Sequence, residues 1–270
     1  MPNLSPAPAP QMLTRPQAPA IAYHLLPAAG EKRQGDASAR GALPGVIFLT
    51  GFNSNMNGIK ATALEQFCGE RKQSFLRFDY SGHGESEGDF RDGTIGAWLQ
   101  DAVDVLDRLT RGPQIVVGSS MGGWIALLLA LRRRERIAGM VGLAAAPDFV
   151  EDIWRRFSQA DQDTLVTRGA VERPSAYSDR PYVITRALIE EGREHLLLAD
   201  TIEIDCPVRL IHGMADPDVP YERSQQIAES LRGGDVVVTL IKDGDHRLSR
   251  PQDLQRLFGA VSELSATGDA

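Results

Sequence analysis

Cysteine is scarce. Two thiols in 270 residues, Cys68 and Cys206, exclude a disulfide scaffold, and no CxxC pair exists for zinc or redox work. Long apolar runs are also missing. A membrane-spanning helix needs roughly 20 apolar residues; the longest run here, around Trp124 to Leu131, is far shorter and reads as a core helix. No stable membrane anchor is expected. Basic residues are outnumbered, with 29 Lys plus Arg against 36 Asp plus Glu and a formal charge of −7. Nucleic-acid binding needs a basic face, so no nucleic-acid partner is expected. The triplet Arg132-Arg133-Arg134 reads as the cationic last turn of a helix. No HExxH, no Cys–His cluster and no GxxxxGK[ST] loop occurs, so no metal and no cofactor is expected.

What is present is ordinary globular composition, with 42% apolar and 24% charged residues. The length fits one large α/β domain. Residues 1–20 hold six of the sixteen prolines and one charge, Arg15. They read as a disordered, extended Pro/Ala-rich tail ahead of a domain over 21–270. They resemble neither a signal peptide nor a transit peptide, which makes the cytoplasm the expected location.

From residue 21 the chain alternates strand-like and helix-like segments. Strands are expected at Gly45–Leu49, Phe75–Phe78, Gln114–Val117, Ile137–Ala144, Val208–His212 and Val236–Ile241. Helical spacing covers Ile59–Arg71, Ile95–Leu109, Met121–Leu131, Tyr221–Leu231 and Pro251–Leu264. Alternation of this kind predicts an α/β fold, a mostly parallel doubly wound sheet with helices on both faces. The rhythm breaks over about 147–201, a charged and mainly helical stretch that reads as a cap insertion.

Two segments match G-x-S-x-G. Gly118-Ser119-Ser120-Met121-Gly122 follows the apolar Gln-Ile-Val-Val and runs into Trp-Ile-Ala-Leu-Leu-Leu. That is the strand–turn–helix context a nucleophile elbow requires. Gly84-Glu85-Ser86-Glu87-Gly88 sits in a polar loop with no helix after it, so Ser86 reads as a loop residue. A serine hydroxyl is a weak nucleophile and needs a base, which itself needs an orienting acid. In this topology both follow the serine, acid first. His246 in Asp243-Gly244-Asp245-His246-Arg247 is the base candidate. Asp216 in His212-Gly213-Met214-Ala215-Asp216 is the acid candidate, and Asp218 is its competitor. His24 and His83 precede the serine, His195 lies in the insertion, and His212 ends a strand; these read as surface, loop-packing or core histidines. The backbone N–H groups of Met121, after the nucleophile, and of Phe52, in the loop after Leu49, are the oxyanion-hole candidates.

These residues resemble the α/β-hydrolase superfamily, and within it a branch of palmitoyl-protein thioesterases and acyl-glucuronide esterases. Carrying segments include Met56-Asn57-Gly58-Ile59-Lys60-Ala61, Arg77-Phe78-Asp79-Tyr80-Ser81-Gly82, Gly118 to Trp124, Cys206-Pro207-Val208-Arg209-Leu210, His212-Gly213-Met214 and Asp245-His246-Arg247. The resemblance implies an α/β-hydrolase fold and a serine hydrolase of esters or thioesters. Its serine, aspartate and histidine fall on Ser120, Asp216 and His246. It implies a small-molecule or acyl-protein substrate. Phe149, Trp154 and Phe157 are candidates for an acyl pocket or for helix packing. Two other readings share the pattern: a carbon–carbon bond hydrolase on the same triad, and a ligand-binding protein on a hydrolase scaffold.

Overall fold

The structure is a computed structural model and describes residues 9–28, 43–174 and 181–266. Its strands in chain order are β1 (Gln11–Arg15), β2 (Ala18–Leu26), β3 (Gly45–Leu49), β4 (Phe75–Phe78), β5 (Gln114–Ser119), β6 (Ile137–Leu143), β7 (Ala170–Arg173), β8 (Tyr182–Thr185), β9 (Val208–Gly213) and β10 (Val236–Ile241). Its helices are α1 (Ile59–Glu70), α2 (Ile95–Leu109), α3 (Met121–Arg132), α4 (Phe149–Arg156), α5 (Gln159–Arg168), α6 (Arg186–Gly192), α7 (Glu222–Ser230) and α8 (Pro251–Ala266).

Eight strands form one sheet in the order β1-β2-β4-β3-β5-β6-β9-β10. β1, β2 and β4 pair antiparallel; from β4 onward every pairing is parallel. The central strands β3, β4, β5 and β9 are buried along their whole length, as strands covered on both faces are; the charged residues among them are paired, Arg77 with Glu65 and Arg209 with Glu263. Trp98 of α2, Trp124 of α3 and Ile227 of α7 pack in the core on one face. Leu64 of α1 with Leu257 and Val261 of α8 fills the other.

The register aligns the carboxyl ends. Leu49 pairs with Gly118, Ser119 with Leu143, Leu143 with Ile211, and Gly213 with Ile241. The loops after β3, β5, β9 and β10 therefore open at one edge of the sheet, where open α/β folds bind ligands.

Two sequence expectations change here. Residues 11–20, read as tail, form β1, a two-residue turn and the start of β2, so the sheet starts before residue 21; residues 1–8 lie outside the described residues. The prolines concealed this because an edge strand and its turn tolerate them. Leu13 and Arg15 face inward, and the Arg15 guanidinium meets the buried Asp101 carboxylate at 2.6 Å. The second change lies between β6 and β9. Alongside α4, α5 and α6, this stretch forms the antiparallel β7–β8 pair, which its charged composition hid. Asp148 closes the stretch at its base: its carboxylate accepts from Leu197 N and Leu198 N, both at 2.9 Å. Within the arginine triplet, Arg133 grips Asp107 through Nε and Nη2, so it braces α3 against α2.

Candidate active site

Ser120 sits between β5 and α3 with φ 55° and ψ −119°. A side-chain-bearing residue seldom adopts such a backbone, and it persists only where the surroundings enforce it. Here Ser120 N donates to Leu143 O at 2.9 Å, while Ser120 O accepts from Gly123 N and Ala146 N. The turn also presses α3 onto β3. A Cβ on Gly122 would lie 2.2 Å from Leu49 O, so only glycine fits there. Met121 follows as the first residue of α3; the first N–H groups of a helix have no partner within it and point outward.

The loops after β9 and β10 are in contact. A Cβ on Gly213 would lie 2.2 Å from Gly244 O, and Ala215 N donates to Gly244 O at 2.9 Å. This approach brings Asp216 to His246, with Oδ2 2.8 Å from Nδ1. The other oxygen, Oδ1, accepts from Asp218 N at 2.8 Å and Val219 N at 2.9 Å. The Asp218 backbone N–H thus helps to hold the Asp216 carboxylate, and Asp216 is the acid that meets His246 Nδ1.

His212, read from the sequence as a strand-end residue, belongs to this cluster. It is fully buried, and its Nε2 lies 3.3 Å from Asp216 Oδ2 and 3.1 Å from Val219 O. Both neighbours are acceptors, so Nε2 carries a proton. Nδ1 meets Ser224 Oγ at 2.7 Å. No spacing in the sequence marks this contact, because His212 ends β9 and Asp216 lies in the loop after it. Burial alone would raise the Asp216 carboxyl, but hydrogen bonds from His212 and His246, the His246 charge and Val219 N–H hold it well below the usual carboxylate range.

Asp216, Asp218 and His246 are also the sort of donors that can hold a metal, with ligand atoms within 4.8 Å of one another. The Asp216 oxygens already accept three hydrogen bonds from the chain at 2.9 Å or less, so the geometry suits orientation of His246 better than chelation.

Ser120, Met121, His246, Phe52 and Gly51 line one cleft of about 1120 Å³. Its roof comes from the stretch between β6 and β9 through Phe149, Ile153, Phe157, Tyr182 and Ile184. Phe149 and Phe157 therefore face the cleft. Trp154 does not line it and lies under the Arg193 guanidinium at 5.0 Å. Lys60 lines the cleft beside His246, and its Nζ donates to Arg247 O. Burial lowers its ammonium to about 8. Ser86 is a loop brace: its Oγ donates to Asp79 O at 2.6 Å and accepts from Ala22 N at 2.8 Å.

The alpha/beta hydrolase family model matches residues 46–257. This chain belongs to the alpha/beta hydrolase family. It is 39% identical over 253 residues to the mouse protein named "Palmitoyl-protein thioesterase ABHD10, mitochondrial", covering 93% of this chain and 81% of that one. The solved structure of mouse alpha/beta hydrolase domain-containing protein 10 superposes with a TM-score of 0.83 at 37% identity, over 95% of this chain and 98% of that one. The crystal structure described as "Putative hydrolase from Agrobacterium vitis S4" gives a TM-score of 0.87 at 40% identity, over 96% of this chain and all of that one. This hydrolase shares most of its length with these relatives. The mitochondrial name of the mouse and other mammalian relatives overturns the expected cytoplasmic location. That expectation rested on missing features in residues 1–20, and missing features specify no compartment.

Proposed function

We propose that the chain is a serine hydrolase of acyl thioesters and esters, acting on acylated proteins or small acyl conjugates. The observation that carries this reading is the placing of Ser120, on its strained turn, in the same cleft as His246, whose Nδ1 is held by Asp216.

Ser120 Oγ attacks the acyl carbonyl carbon as His246 Nε2 takes its proton. Asp216 fixes the tautomer with Nδ1–H and stabilises the imidazolium that forms. The carbonyl oxygen becomes an oxyanion, which the N–H groups of Met121 and Phe52 receive. Fixed dipoles of this kind supply much of the barrier lowering, because they need no reorganisation as charge develops. His246 returns the proton to the leaving thiol or alcohol. The same imidazole then activates water, which releases the acid and restores Ser120.

The apolar side chains of the roof support a hydrocarbon acyl chain. Phe149, Ile153, Phe157 and Ile184 offer it apolar surface, with the charged Asp152, Arg156 and Arg173 of the same stretch beside them. The ABHD10 relatives' names support thioester substrates. The test is hydrolysis of an S-palmitoyl peptide beside p-nitrophenyl butyrate. Turnover of both, lost in Ser120→Ala, is the expected result. Turnover of the short ester alone would keep the hydrolase and remove the long-chain thioester. Turnover of a vinylogous diketone with neither ester would replace acyl transfer by carbon–carbon cleavage.

A further inference from the structure

The mechanism uses the Phe52 N–H but leaves open what holds it in place. The loop after β3 carries Gly51, Phe52 and Asn53, and it runs close to the nucleophile: a Cβ on Gly51 would lie 3.4 Å from Ser120 Cβ. Asn53 has φ 52°, a left-handed turn that asparagine tolerates better than most residues. Its N–H points to His83 Nε2, 3.3 Å away. At the far end of the loop, Met56 N donates to Asp79 Oδ1 at 2.6 Å.

We infer that His83 is a positioning residue for the oxyanion hole: its Nε2 accepts the Asn53 N–H and thereby fixes the adjoining Phe52 N–H toward the reacting carbonyl. The inference rests on the hydrolase reading of the cleft and adds a residue to it.

The tautomer follows from the neighbours. Asn53 N–H is a donor, so Nε2 must be bare. Nδ1 faces Ser81 O at 3.3 Å and so carries the proton. The residue is 3% exposed. Burial pushes its imidazolium down to about 4, against a smaller opposing pull from Ser81 O. His83 is therefore a neutral acceptor at physiological pH. It is also clamped edge-on between aromatic rings, with Trp98 at 5.1 Å and Phe90 at 5.0 Å between centroids. Phe52 packs on the same two rings, at 5.9 Å and 5.0 Å. Beneath, Ser81 is anchored by its own N–H to Asp101 Oδ2 at 2.7 Å, and its carbonyl accepts Trp98 Nε1–H. The acceptor that meets Asn53 is thus tied to the core. A histidine needed only for packing would not require its bare nitrogen to face a backbone N–H beside the oxyanion donor.

Two substitutions separate acceptor from packing. His83→Phe keeps a ring for Trp98 and Phe90 but removes the acceptor. His83→Gln can present a carbonyl oxygen near the Nε2 position. With p-nitrophenyl butyrate, and active sites counted by fluorophosphonate titration, His83→Phe should lower kcat by about 10- to 100-fold with KM within about twofold. A boronic acid that mimics the tetrahedral adduct should weaken by a similar factor, while butyrate inhibition stays unchanged. His83→Gln should recover most of the kcat. A kcat per active site within about twofold of wild type in His83→Phe would overturn the inference. So would equal losses in both variants, or a fall in folded protein alone. In the unsubstituted protein, ¹⁵N histidine spectra should show the Nδ1–H form at His83, and the Nε2–H form would overturn the inference whatever the variants do. Failure of the hydrolase reading is distinct: the unsubstituted protein would then not turn over, or Ser120→Ala would match it.

Discussion

Asp216 Oδ2 lies 2.8 Å from His246 Nδ1, and the same oxygen lies 3.3 Å from His212 Nε2. One buried carboxylate oxygen thus faces one imidazole on the cleft and another behind it. Its partner oxygen is taken by two backbone N–H groups of the same loop. The acid has little freedom to turn away from His246, which is what an orienting residue needs.

The first prediction concerns the choice of acid. Asp216→Asn should lower kcat by about 10⁴, since the amide cannot accept from Nδ1–H and stabilise the imidazolium together. Asp218→Asn should stay within a few-fold, because it is the Asp216 carboxylate that holds His246 Nδ1 at 2.8 Å. Steady-state kinetics on both variants decides between them, and comparable losses would show Asp218 to be the orienting acid.

The elbow gives a second prediction. A methyl group at Gly122 would meet Leu49 O, which is backbone and cannot swing aside. Gly122→Ala should lower the melting temperature and the fraction of titratable active sites together. An unchanged melting temperature with full titration would contradict the packing described for this turn.

Chain-length preference supplies a third. Phe149 and Phe157 line the cleft and Trp154 does not. Phe157→Ala should change the ratio of kcat/KM for long against short acyl chains, and Trp154→Ala should leave that ratio unaltered. An S-acyl peptide series of increasing chain length reads it directly; a shift in Trp154→Ala alone would reverse the assignment.

A fourth concerns pH and stability. The folded His83 titrates at about 4, below the ordinary histidine value of 6.5. The unfolded chain therefore binds a proton first as pH falls. Stability from this residue is complete above about 6.5, declines toward 4 and levels off below it, a change on the order of 3 kcal/mol at most. Urea unfolding across this window should fall more steeply for the unsubstituted protein than for His83→Phe. Parallel curves would show that His83 is not held neutral.

Much of this arrangement was legible in the sequence. The strand–turn–helix context around Ser120 and the order of Asp216 and His246 depend on local pattern, and β3, β4 and β10 fell where apolar runs placed them. Contacts made at a distance were harder to read. β1 is an edge strand whose inward positions are Leu13 and an arginine, so its alternation resembled a polar tail. β7 and β8 stabilise each other by pairing: Ala-Val-Glu-Arg is half charged, and Tyr-Val-Ile-Thr, though strand-like, is only four residues in a charged stretch. His212 and His83 were passed over for one reason: a histidine's role depends on which nitrogen faces a donor, and spacing does not show this. For His212 the partner is four residues away; for His83 it is thirty.

The most direct test of the central claim is intact mass after incubation with a fluorophosphonate, followed by peptide mapping, in the unsubstituted protein and in Ser120→Ala and His246→Ala. The account predicts a single adduct on Ser120, absent in Ser120→Ala and formed far more slowly in His246→Ala. An adduct on Ser86 or another serine, or none on a protein that still hydrolyses the short ester, would contradict it.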